Sequence, residues 1–292
     1  MTRAGPVRPA PFPNRRIAVH GVPAAVIVTM ELLLTYLLVG VGAGLIAGLL
    51  GLGGGVVIVP ALAVVFAARP EIPPGLVLHL AIGTSLAAIV PTALSSTLAH
   101  HRHGAIRWEI FRAMAAALAV GALLGAALAD HLPGAWLARI FGIFIIAVGV
   151  QIFLGARAPG HRDLPGRIGL RAAGAVIGAA SAILGIGGGS LTVPFLNYCR
   201  VEVKQAVATS AACGLVLGAL GAVGFLLTGQ DHPQLPIGST GYIYWPAAAG
   251  IVLASVTFAP LGARIAHRLP TLVLKRVFAV FLVGNGVRML LG

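Results

Sequence analysis

The chain has 292 residues, of which 58% are hydrophobic and 9% charged, with a formal net charge of +13 and a mean hydropathy of +0.99. So few charges cannot cover the surface of a water-soluble globule, and the apolar runs are continuous rather than alternating, which excludes a soluble enzyme and a transmembrane barrel. The Lys and Arg residues gather in short loops, as the positive-inside bias expects, and no aromatic-interleaved basic domain is present, so nucleic acid is excluded as a partner.

Residues 1–22 are Pro-rich and basic and read as a flexible tail, an extension if Met30 is the true start. Apolar segments then fall at 24–50 with 54–68, 76–99, 110–129, 136–155, 168–186 with 187–198, 205–229, 242–266 and 275–291. Each long run suffices to cross a bilayer as a helix. The expectation is an all-α polytopic membrane protein with about eight hydrophobic segments. Turn signals separate them, such as Leu132-Pro133-Gly134 and Asp231 through Pro236.

The segments form two related halves, a first repeat at 24–155 and a second at 172–292, joined by a basic cytoplasmic linker at 156–171. The first segment of each half is broken by a glycine phrase, GLGGGVVIVP at 51–60 and GIGGGSLTVP at 185–194. After each break come a Thr-Ser pair (Thr84-Ser85, Thr209-Ser210), a Leu-Gly-Ala, a Leu-Pro and an Arg, in the same order. Broken helices in corresponding places of two halves point to a transporter's substrate site.

Loops 100–112, 156–171 and 264–276 are basic, and loop 229–241 has no Lys or Arg. If each broken segment crosses once, loop 264–276 lands opposite the other two. If each enters and returns, or crosses twice, all three share the cytoplasmic side and the halves are inverted repeats. The charge bias favours the second arrangement.

Short helices are expected to begin after Gly53, Gly54 and Gly55, at Val56, and after Gly187, Gly188 and Gly189, at Ser190. Their first amides lack intrahelical partners and carry the positive end of the helix dipole, so a small anion is a natural ligand. The alternative is close helix packing without a ligand. Thr84, Ser85, Thr209 and Ser210 can donate to an oxyanion, or bond neighbouring helices and their own backbone. Ser95, Ser96, Ser190 and Thr192 are weaker candidates. The seven acids form no central pair, which argues against hydrolysis, a metal site and a carboxylate proton relay. His100, His101 and His103 read as a solvated interfacial cluster. Trp108, Trp136 and Trp245 read as membrane-interface anchors. No cofactor and no metal are expected, and the chain reads as a non-enzyme.

The phrases AGLIAGLLGLGGGVVIVPAL and ASAILGIGGGSLTVPFL, with the Thr-Ser after each, resemble the TauE/SafE sulfite exporter family, the TSUP permeases, over residues 30–292. The resemblance implies alternating-access transport of sulfite, organosulfonates or similar small sulfur anions across the bacterial inner membrane, and it is compatible with proton coupling. An anion channel, or a permease for a carboxylate, would use the same site chemistry.

Overall fold

The apolar runs become helices whose ends fall at the Pro, Gly and charged punctuation between them. A computed structural model describes residues 24–50, 54–154, 163–230, 232–266 and 271–291. The tail at 1–22 and part of the 156–171 linker lie outside the described residues. The elements are α1 (Ala24–Leu50), α2 (Gly55–Ala67), a 3-10 turn at Pro74–Leu76, α3 (Val77–Arg102), α4 (Trp108–Asp130) and α5 (Gly134–Leu154). Then follow α6 (Arg167–Leu184), α7 (Gly189–Tyr198), α8 (Val203–Thr228), β1 (Ser239–Thr240), β2 (Ile243–Tyr244), α9 (Trp245–Ala266) and α10 (Thr271–Leu291).

Among the described residues six helices are long and apolar enough to cross a membrane: α1, α3, α4, α5, α6 and α8. Their outward faces are apolar. Leu124, Ile143 and Val176 are each more than 60% exposed, and no water-soluble surface would carry such a belt. The chain is a multi-pass membrane protein.

One expected segment differs. The run read as beginning at 242 starts as a two-residue antiparallel ribbon, with Ser239 opposite Tyr244 and Thr240 opposite Ile243, and turns helical only at Trp245. Gly241 at φ +54° makes the reversal, a conformation open to glycine, and the Tyr-Ile-Tyr sequence supplies aromatic and β-branched strand formers.

Small residues set how the helices meet. A Cβ on Gly40 would collide with Ile251, and one on Gly44 with Ser255, so α1 and α9 lie backbone to backbone and run parallel. Gly121 and Gly125 meet Ala175 and Ala179, while Gly174 and Gly178 meet Met114 and Leu118, which makes α4 and α6 a second tight parallel pair. In contrast α3 and α8 are antiparallel, with Gly83 against Phe225 and Leu86 against Gly221. So are α5 and α10, with Gly142 against Gly286 and Gly149 against Ala279. Exchanging α1–α5 for α6–α10 converts the α1–α9 pair into α6–α4 and returns α3–α8 and α5–α10 to themselves. Helices α1–α5 and α6–α10 therefore each donate a helix to the other group rather than folding as separate bundles.

Candidate functional site

Helix α6 ends where Gly185 takes a left-handed conformation at φ +63°. Its amide bonds Ala182 O, and the Ile186 amide reaches back to Ser181 O, a Schellman closure. The chain then passes Gly187 and Gly188 and restarts as α7. The first-half break enters α2 at Gly54 and Gly55. Gly53 lies outside the described residues. Pro60 and Pro194 stand at the sixth position of α2 and α7, where each removes a helical hydrogen bond and helps keep these helices short.

The two breaks meet. A Cβ on Gly55 would lie 2.7 Å from Gly185 O, and one on Gly188 would lie 2.8 Å from both Gly214 N and Ser210 O. The start of α2 thus packs against the closing turn of α6, while the start of α7 packs against α8. The amides of Gly55, Val56, Gly188 and Gly189 find no backbone acceptor among the described residues, as expected of first-turn donors.

A cavity of ≈ 440 Å³ opens onto these starts. Gly54, Gly187, Gly188, Gly189 and Ser210 line it, together with Ala43 and Gly44 of α1 and Ser255 and Ala259 of α9. From there it follows one face of α3 through Ile89, Thr92 and Ser96 to His100, near the end of that helix and the basic loop beyond it. No acidic side chain lines it among the described residues. On the other side of the breaks Ile82, Leu86 and Phe225 are fully buried in one core cluster with Tyr242, whose ring packs edge-on against Phe225. The lining thus runs from the glycine breaks toward the His100 end of α3 and takes in no residue of α3 before Ile89.

The remaining sequence candidates stand apart from the cavity lining. Gly55 and Val56 are packed against the crossing, and Ser190 is buried in the first turn of α7. Thr84 Oγ1 accepts the Tyr244 amide at 3.0 Å, and Thr209 Oγ1 accepts the Arg107 amide at 3.0 Å. Tyr244 and Arg107 each precede the tryptophan that opens α9 or α4, so the matched threonines hold the starts of matched helices. Ser85 Oγ donates to Gly185 O at 2.8 Å and steadies the break from behind. Ser210 Oγ donates to Val207 O at 2.8 Å yet still faces the cavity. Residues that sequence reading passed over are Thr92 and Ser255. A signal existed for the first, since Ile89, Thr92, Ser96 and His100 recur at helical spacing on one face.

The family model described as "Sulfite exporter TauE/SafE" matches residues 36–289. A "Probable membrane transporter protein" of Haemophilus influenzae is 36% identical over 264 residues, covering 89% of this chain and 98% of its own length. The "Probable membrane transporter protein YunE" of Bacillus subtilis is 26% identical, covering 86% of this chain and 94% of its own. The "Probable membrane transporter protein MamO" of Magnetospirillum gryphiswaldense matches over 122 residues at 33% identity, 40% of this chain and 18% of its own length. No solved structure gives a significant match.

Proposed function

This chain belongs to the sulfite exporter TauE/SafE family, and from that membership we propose that it is a secondary carrier of small sulfur-containing anions, sulfite or an organosulfonate, across the bacterial inner membrane. The observation that carries the reading is that glycines of both breaks line one cavity without acidic side chains among the described residues. Amides at a helix start offer partial positive charge and hydrogen-bond donors at a depth where no water replaces them. Gly54 of one break and Gly187, Gly188 and Gly189 of the other supply this edge, with the first-turn amides of Gly55, Val56 and Ser190 just behind it. Ser210 adds a hydroxyl, while Thr84, Ser85 and Thr209 act by holding the breaks and the helix starts in place.

A cavity lined along α3 from the breaks to His100, with a packed core of Ile82, Leu86 and Phe225 beyond the breaks, suits alternating access better than a continuous pore, which favours a carrier over a channel. The proposed topology has two inverted repeats, 24–155 and 172–292 around the 156–171 linker, in which each broken segment enters the membrane and returns, with α2 and α7 as the returning arms. It draws support from the antiparallel course of α3 against its counterpart α8 and of α5 against α10. It also brings the three basic loops to the His100 end of the cavity, which makes that end cytoplasmic.

The test is uptake of sulfite by proteoliposomes under an imposed pH gradient, with protein-free vesicles as control. Saturable uptake, stimulated by sulfite preloaded on the other side, is expected, and dependence on the gradient would identify the proton as coupling ion. Non-saturable flux without counter-flow would establish a channel instead. Silence toward sulfite, sulfonates and carboxylates would remove the assignment.

A further inference from the structure

A second cavity, of ≈ 650 Å³, lies apart from the first, between the N-terminal turns of α4 and α6. Arg107 and Arg112 line it from one side and Arg167 and Arg171 from the other, with Glu109 as the acidic member and Ile110, Leu164 and Leu170 as apolar wall. Arg107 reaches Gln205 Oε1 at 3.3 Å. Arg112, Arg167 and Arg171 make no hydrogen bond or ion pair to a described residue. The sequence offers them little else: Asp163, the one acid between 155 and 171, is bound to Arg200 at 3.2 Å.

These cations are held together by the fold. Helices α4 and α6 run parallel, and their glycine contacts with Ala175, Ala179, Met114 and Leu118 lock both N-terminal ends side by side. Four guanidinium groups around one cavity with a single carboxylate repel one another, and an anion seated among them relieves that repulsion. The guanidinium fork matches phosphate oxygens in a two-point contact that an ammonium group lacks. The cavity also sits where spanning helices end, the depth of lipid phosphates. From it the outer faces of α4 and α6 run apolar and exposed along the helices, with Ile168 at 83% beside the cavity, then Val176 at 69%, and Leu124 at 64% farther along α4.

We propose that this cavity binds the phosphodiester head group of an anionic phospholipid, clamped by Arg112, Arg167 and Arg171, with the acyl chains lying along α4 and α6. Basic pockets between membrane helices on the positively charged side recognise such head groups. A free phosphate presents the same oxygens without the chains, and the apolar strip beside the cavity favours the lipid.

Delipidated protein in neutral detergent is titrated with phosphatidylglycerol, with phosphatidylcholine of the same chain length, and with glycerol phosphate, and bound molecules are counted by native mass spectrometry. Saturable binding of phosphatidylglycerol is expected, at least about tenfold tighter than phosphatidylcholine or glycerol phosphate. Each arginine near the surface contributes on the order of a fivefold factor, so R112Q/R167Q/R171Q weakens binding roughly a hundredfold. A control that removes as much charge from the same face outside the cavity, R102Q/K204Q/R276Q, stays within about threefold of wild type. The lysine triple variant R112K/R167K/R171K keeps the charge and loses the forks, so an intermediate loss is expected even if the glutamine variant does not fold. Equal binding of the two lipids, full retention by both triple variants, or an equal loss in the control overturns the proposal. Glycerol phosphate binding as tightly as the lipid overturns it in favour of a soluble phosphate site. None of these readouts involves transport, so failure here leaves the carrier reading untouched, and failure of sulfite uptake leaves this site standing.

Discussion

Glycines that look alike in the sequence differ in what surrounds them, and the difference separates binding from folding. A Cβ on Gly187 would meet Ile89 at 3.5 Å, ordinary contact, and one on Gly54 would meet the flexible end of Ile58 at 3.2 Å. The same methyl on Gly188 would strike the backbone of Gly214 and Ser210 at 2.8 Å. G54A and G187A are therefore expected to fold, with melting temperatures near wild type, while the added methyl crowds the cavity at the breaks and lowers sulfite uptake by about tenfold or more. G188A is expected to lose roughly 1–3 kcal/mol of stability through overpacking, read as a lower melting temperature in detergent. The threonines behave in the opposite sense. T84V strands the buried Tyr244 amide, at a cost of about 1–3 kcal/mol, and T209V leaves the half-buried Arg107 amide without its acceptor, at a cost near the lower end of that range. The KM for sulfite should stay unchanged in whatever fraction folds, because both hydroxyls lie outside the cavity lining. A rise in KM without destabilisation would return the threonines to the binding site.

At the scale of elements, the segment limits were legible because apolar runs and Pro-Gly turns are local signals, and the helix ends fall within a few residues of the expected ones. The ribbon at 239–244 was not, since a two-residue strand makes no periodicity and Gly241 only reveals its role through a positive φ. The repeat told that Thr84 and Thr209 are equivalent. It could not tell that each would face the start of another helix, because that depends on which helices become neighbours. The cavity was hidden for the same reason: its wall is assembled from α1, α3, α8, α9 and both breaks. The pairing of α4 with α6 shows what the sequence leaves implicit. Glycine is unfavourable in a helix, yet Gly121, Gly125, Gly174 and Gly178 let two backbones touch. G121A and G178A should each lower the unfolding temperature markedly, by the several kcal/mol at the upper end of overpacking costs. G42A and G284A, with no atom within 4 Å of the added methyl, should be neutral or slightly stabilising. Thermal unfolding of the four variants side by side checks the contrast.

The whole molecule is nearly two-fold in its packing and clearly not two-fold in its access. Where α3 carries Thr92, Ser96 and His100 along the cavity, the equivalent positions of α8 carry Leu217, packed into the core with α4 and α6, Gly221 against Leu86, and Phe225 against Tyr242. The packed side is also tied from outside. Arg69, beyond the end of α2, donates to Tyr36 Oη of α1 at 3.0 Å and to Glu71 at 2.7 Å, and its guanidinium lies 4.9 Å from the ring centre of Tyr244 in the ribbon. Phe66 and Tyr36 pack edge-on against that ring. Moving α1 or the ribbon away from the end of α2 breaks the Arg69–Tyr36 and Arg69–Tyr244 contacts, whereas the Arg69–Glu71 pair lies within one loop and holds the guanidinium in place, so the contacts between elements weight the equilibrium toward the state shown. The tie holds at neutral pH: the Glu71 amide and Arg69 keep the Glu71 carboxyl below its ordinary 4.5. Its contribution is thus complete above that value and is lost only as pH falls through the lowered one. Cysteine labelling reads the equilibrium directly. In a background lacking the buried Cys199 and Cys213, S96C should react readily with a membrane-impermeant thiol reagent added at the basic-loop face, and L217C should resist it from either face. R69Q removes the charged hydrogen bonds of this tie, worth about 1.5–3 kcal/mol, and should shift the populations by about tenfold or more. Labelling of S96C would slow in that variant, and L217C would become reactive from the opposite face. An unchanged S96C rate with a silent L217C in R69Q would mean that the barrier is carried by the packed residues beneath Arg69, Phe225 and Leu86 foremost, and that the outer contacts serve only stability.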